Sequence, residues 1–121
     1  MKARNATRGT VLGESIRSAD TFLLRLKGLI GAEGLARGEG LWISPCSCIH
    51  SFGMRFAFDA VFLGPDGRVA GLCEGFGRNR VSRVFLSARG VLELPEGTIA
   101  GTGTMVGDEI RLEPFVLISI A

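Results

Sequence analysis

Two cysteines, the chain's one histidine and a methionine fall within nine residues, at Cys46, Cys48, His50 and Met54. On an extended strand, residues i, i+2 and i+4 share a face. The spacing therefore predicts one soft, partly apolar face from Cys46 to Met54, with Phe52 on it. Thiolate, imidazole and thioether suit zinc or cuprous copper, so Cys46, Cys48 and His50 form a candidate metal set, extended by Met54 or Cys73. Spacing argues against it. Structural zinc sites place C-x2-4-C on a turn that folds both sulfurs inward, whereas C-x-C on an extended strand holds them apart. No cofactor is expected on this reading, with zinc or copper as the minority alternative.

A second stretch, Phe56 to Leu63, reads as an apolar strand interrupted only by Asp59. A buried carboxylate needs donors or a cation. Asp59 is thus either a general acid in a pocket, a partner of Arg55, or an acceptor of backbone N–H groups at a strand crossing. Trp42, Phe52, Met54 and Arg55 join His50 and Asp59 as candidate ligand-binding residues, because small-ligand sites combine apolar walls with few polar groups. Cys, His and Asp also invite a nucleophile, base and orienter reading, yet the sequence shows no oxyanion donor set. Further on, Arg78, Arg80 and Arg83 lie within six residues and could hold a phosphate or carboxylate. A solvated loop is the plainer reading of them.

The elements around these residues come from turn chemistry and periodicity. Gly64-Pro65-Asp66-Gly67 reads as a tight reversal into a return strand, Arg68 to Leu72. Leu41-Trp42-Ile43, Val84-Phe85-Leu86, Val91 to Leu94 and Glu109 to Glu113 are further strand candidates. An edge strand precedes Leu12, and Thr98 to Met105 forms one helical turn or a loop. Phe22, Leu23, Leu26, Leu29 and Ile30 recur at the spacing of an amphipathic helix, with Ser18 or Asp20 as its N-cap. Phe115 to Ile120 is a final strand or a docked tail. The expected architecture is one mainly β (α+β) domain over residues 1–121. It has seven to nine short antiparallel strands, barrel-like or sandwiched, capped by one N-terminal amphipathic helix.

Composition bounds the rest. A chain of 121 residues with 46% hydrophobic content can bury a core without staples. A net charge of +2 calls for neither nucleic acid nor membrane. Three cysteines cannot all pair, which suits a reducing cytoplasm. The N-terminus holds no apolar signal segment, so cytoplasmic residence is expected, or export if a leader has been removed. No apolar run is long enough to span a bilayer.

The run CIHSFGM, followed by FD, VFLGPDGRV, then VLELPEG and the Gly107-Asp108 turn, resembles the domain of unknown function 192 family. Arg25-Leu26-Lys27-Gly28-Leu29-Ile30 is similar to that family's R-x-x-G-L-M helix end, with Ile30 replacing the usual methionine, and Gly40 to Ile43 to its glycine-led strand. The likeness runs from about Thr7 to Glu113 and implies the fold rather than a reaction. The Cys46-x-Cys48 pair is not general to the family. Two functions stay open. One is a non-enzymatic binding or accessory domain, holding a small molecule or a protein in a groove near His50 and Asp59. The other is a metal- or thiol-dependent enzyme at Cys46, Cys48 and His50.

Overall fold

Strands β5 (Phe58–Leu63) and β7 (Gly90–Pro95) run antiparallel through the middle of the molecule, and all six residues of β5 are buried. That explains why β5 reads as a continuous apolar run: both of its faces are covered. In a computed structural model of the chain, residues 1–19 and 28–114 are described. Around the central pair, β3 (Ser15–Ala19), β4 (Glu39–Ile43) and β6 (Val69–Phe76) complete a five-stranded sheet in the order β3-β4-β7-β5-β6. A second sheet of three strands, β2-β1-β8, is built from β1 (Lys2–Asn5), β2 (Thr10–Gly13) and β8 (Ile110–Glu113).

The large sheet separates two apolar clusters, as alternation dictates. Phe58, Ala60 and Phe62 face one cluster with Ile43, Ile49, Met54, Phe85 and Val91. Val61 and Leu63 face the other, with Leu92, Leu94, Ile16 and Ile110, where the small sheet packs. The small helix α1 (Thr98–Thr102) lies on this second side and buries Ile99.

Among the described residues, eight strands in a mainly β arrangement agree with the sequence reading, but some details differ. The sheets do not close into a barrel. The strands are not all antiparallel, because β3 pairs with β4 in parallel. Such a pair needs a crossover connection between its strands. Ser18, an expected N-cap, pairs with Trp42 inside β3. Val84-Phe85-Leu86 is not a strand, since its backbone serves a neighbouring loop instead. The expected N-terminal helix, Phe22 to Ile30, falls largely on residues 20–27, outside the described residues, and its expected end at Gly28 to Ile30 is a turn; among those described, α1 is the one helix. The expected final strand from Phe115 also lies outside them. One close approach holds the first cluster together. A Cβ on Gly71 would collide with the Phe85 ring, so glycine there lets Phe85 stack on Phe62 with centroids 4.3 Å apart.

Candidate functional site

The segment from Cys46 to Met54 is not an extended strand. It is an irregular loop, tied by its backbone to a second loop rather than to a sheet. Ile49 and Ser51 are buried, Met54 is buried in the first cluster, and Cys48, His50 and Phe52 are exposed. The predicted common face therefore does not form. The tie to residues 77–85 explains why. His50 and Val81 make an isolated antiparallel bridge. The Ile49 N–H donates to Ser82 Oγ (2.9 Å), and the Ser82 N–H donates to the Ile49 carbonyl (2.8 Å). Phe85 N–H donates to the Ser47 carbonyl (2.8 Å). Ser51, fully buried, accepts from the Arg80 N–H and donates to the Gly77 carbonyl. Residues 44–57 and 77–89 are thus one lobe on the outside of the large sheet.

That lobe unites the histidine stretch with the arginine loop. Arg80 places its guanidinium 5.4 Å from the Phe76 ring centroid, and Arg83 lies 4.6 Å from that of Phe85. These cation–π contacts seat two of the three predicted anion-binding arginines. Arg78 is exposed beside them in sequence. His50 stacks on Phe52 with centroids 5.7 Å apart. Arg55 is exposed and lies 3.8 Å from the exposed carboxylate of Glu33.

Beneath the lobe lies a cavity of about 70 Å³ whose walls include Cys46, Cys48, His50, Met54, Gly28 and Glu93. It brings together the soft side chains that spacing singled out and adds a residue that spacing did not. Glu93 is only 4% exposed. Its Oε1 has no hydrogen-bond partner among the described residues, and burial pushes its carboxyl up to about 7. It faces the first cluster because β7 alternates, with Leu92 and Leu94 turned the other way. The missed signal was the one applied to Asp59: a single carboxylate inside an apolar strand.

Asp59 and Trp42 belong elsewhere. Asp59 Oδ1 accepts from the Gly75 N–H (2.8 Å), and Oδ2 accepts from Gly97 (3.2 Å) and Ile99 (2.8 Å). Its carboxylate ties β6 and α1 to β5, the third of the roles open to it from sequence. It lines neither the cavity nor a groove with His50. Trp42 packs on the second cluster and lines a separate hollow with Leu63, Pro65 and Leu112. A larger cavity, of about 640 Å³, lies between β2 and α1 and holds none of the predicted site residues.

Two of the three thiols, Cys46 and Cys73, are shifted away from the thiolate. Burial pushes the Cys46 thiol up to about 11, and its Sγ donates to the Cys48 carbonyl at 3.1 Å. A nucleophilic cysteine needs the opposite shift. Burial also raises Cys73, against the pull of Arg80 and Arg83. Among the described residues, no group of three or more His, Cys, Asp or Glu side chains is arranged to hold a metal ion. No described helix is long and apolar enough to cross a membrane.

None of the curated proteins matches this chain. Two solved structures share its fold. A protein of unknown function from Novosphingobium aromaticivorans is 19% identical, with a TM-score of 0.78 over 92% of this chain and 82% of that one. A Sinorhizobium meliloti protein proposed as a transcription regulator is 20% identical, with a TM-score of 0.75 over 91% and 89%. The sequence profile of DUF192, described as Uncharacterized ACR, matches residues 3–112. Spanning nearly the whole of the two-sheet domain, that match places the chain in the domain of unknown function 192 family.

Proposed function

We propose that this domain is a non-enzymatic binding or accessory protein that docks an acidic, partly apolar protein segment on the lobe of residues 44–57 and 77–89. One observation carries the reading: the two loops are bonded into a single basic and apolar surface. They hold Arg55, Arg78, Arg80, Arg83 and Arg89 and no carboxylate, although the whole chain has a net charge of only +2. The same loops expose Phe52 (51%), Val81 (62%), Val84 (52%) and Leu86 (93%). Exposed apolar side chains grouped this way mark interaction surfaces. Guanidiniums seated on aromatic rings lose little freedom on meeting a carboxylate, which favours a protein partner over a diffuse charged surface. His50 and Phe52 belong to this surface, whereas Asp59 belongs to the scaffold.

The test is titration of the protein with a synthetic peptide of alternating Glu and Leu, followed by fluorescence anisotropy. Binding should weaken with salt and fall at least about tenfold in Arg80→Gln/Arg83→Gln, as expected for loss of two charge-assisted contacts. Asp66→Asn, on the Gly64–Gly67 turn, should leave it unchanged. Equal affinity in the double variant, or no binding at all, overturns the reading. Binding to phosphatidylserine vesicles but not to the peptide would assign the surface to lipid instead.

A further inference from the structure

We infer that the cavity under the lobe is a binding site for one compact cationic group, a primary ammonium, with Glu93 as its acceptor. The inference rests on Glu93 and the cavity rather than on the arginines of the docking surface, although His50 borders both. Its first support is Glu93 itself. Oε1 of Glu93 has no hydrogen-bond partner among the described residues, and a buried carboxylate oxygen left so is costly. The oxygen lies against Gly28, where an added Cβ would stand 3.4 Å away, so the backbone approaches it closely and leaves room on that side. Gly28 and Glu93 line the same cavity.

The second support is size and access. At about 70 Å³ the cavity is well below the roughly 300–1,000 Å³ typical of sites that enclose a whole ligand. It suits a headgroup of a few atoms, with the remainder of the ligand outside. Cys48 and His50, both exposed, stand in its wall and give the way in. The third support is the chemistry of the lining. Met54, Ile43, Ile49 and Leu29 are apolar. Cys46 stays a neutral thiol because burial pushes it up to about 11. An anion entering would meet Glu93 and no described cationic wall residue, whereas an ammonium finds an acceptor in the Glu93 carboxylate. Binding a cation would also draw the Glu93 proton off, offsetting the cost of burying the charge.

Methylammonium chloride is the probe, with sodium chloride and tetramethylammonium chloride as controls of equal ionic strength. Methylammonium should shift the Glu93 side-chain carboxyl resonance saturably and raise Tm by mass action, which the controls should not do. Glu93→Gln should abolish both responses. Cys48→Phe, which fills the exposed wall without touching the core, should weaken binding about tenfold or more and guards against a Glu93 variant that fails to fold. No saturable carboxyl shift in the unaltered protein overturns the inference. So does a Tm response that survives Glu93→Gln. Stoichiometric zinc or cuprous ion, bound by untagged protein and lost in Cys46→Ser, would also overturn it and make the cavity a soft-metal site.

Discussion

Ser51 and Arg80 are bonded to each other twice: the Ser51 N–H donates to the Arg80 carbonyl (2.8 Å), and the Arg80 N–H donates to Ser51 Oγ (2.9 Å). The serine hydroxyl then donates onward to the Gly77 carbonyl. A small side chain with no exposed surface thus joins the Ile49–Ser82 and Ser47–Phe85 bonds in closing the two loops into one lobe. Ser51→Ala removes the hydroxyl and strands a part-buried N–H and carbonyl, which should cost about 1–2 kcal/mol. Urea unfolding gives that number. Hydrogen exchange gives the location: the Arg80 amide should lose protection while amides of β5 keep theirs.

Asp59 performs the corresponding task on the other side of the sheet. It is almost fully buried and accepts three backbone N–H bonds, two of them from the Gly97–Ile99 segment at the start of α1. Asp59→Ala orphans all three donors and should destabilise the domain by more than about 3 kcal/mol, if it folds at all. Asp59→Asn keeps an acceptor and should fall between. Binding of the acidic peptide by whatever Asn variant folds should match that of the unaltered protein. A selective loss of binding with full stability would return Asp59 to the binding set.

How far these roles could be read from sequence depended on where each backbone bond goes. Alternation placed β5 and β7 correctly because a sheet strand spends its backbone on its neighbours and leaves side chains to alternate. The turn at Gly64–Gly67 was legible because its glycine needs φ > 0, and Gly67 sits at φ 79°. The Cys46–Met54 stretch alternates equally well by residue type but spends its backbone on residues 77–89, far along the chain. That pairing leaves no local mark. Neither does the parallel β3–β4 pairing, which depends on a crossover. Glu93 was legible in principle, and was hidden by its place in a V-L-E-L run that reads simply as strand.

The cysteines offer a quick check of this loop geometry. An alternating strand would make Cys46 and Cys48 equivalent, whereas in the loop Cys48 is exposed and Cys46 is half-buried with a thiol pushed up to about 11. A thiol reagent at neutral pH in native buffer should therefore label Cys48 first and Cys46 much more slowly, since the thiolate is the reacting species. Cys73, half-buried and also raised, should follow Cys48. Mass spectrometry of digested, partly labelled protein reads the order. Equal rates at Cys46 and Cys48 would contradict the loop.

Two carboxyls with opposite shifts should shape the pH dependence of stability. Asp108 is held down at about 2, chiefly by hydrogen bonds from Arg8 and Asn5. A lowered value means stability that is present above the ordinary carboxylate range and lost as pH falls through it toward 2. Glu93 is raised by burial from its ordinary 4.5 to about 7. Between those values the folded chain holds a proton that the unfolded chain has released, so stability should decline as pH climbs from 4.5 to 7 and then level off. The size of that decline is on the order of 3 kcal/mol, at about 1.4 kcal/mol for each pH unit of difference. Stability of the ligand-free protein should therefore peak near pH 4 to 5. Glu93→Gln removes the titrating group and should flatten the curve from 4.5 to 7, leaving the acid limb intact, while Asp108→Asn should blunt the acid limb alone. Chemical denaturation at pH steps between 3 and 8 measures both. A curve that rises toward pH 7 in the unaltered protein would show that Glu93 is already matched with a cation in the free state.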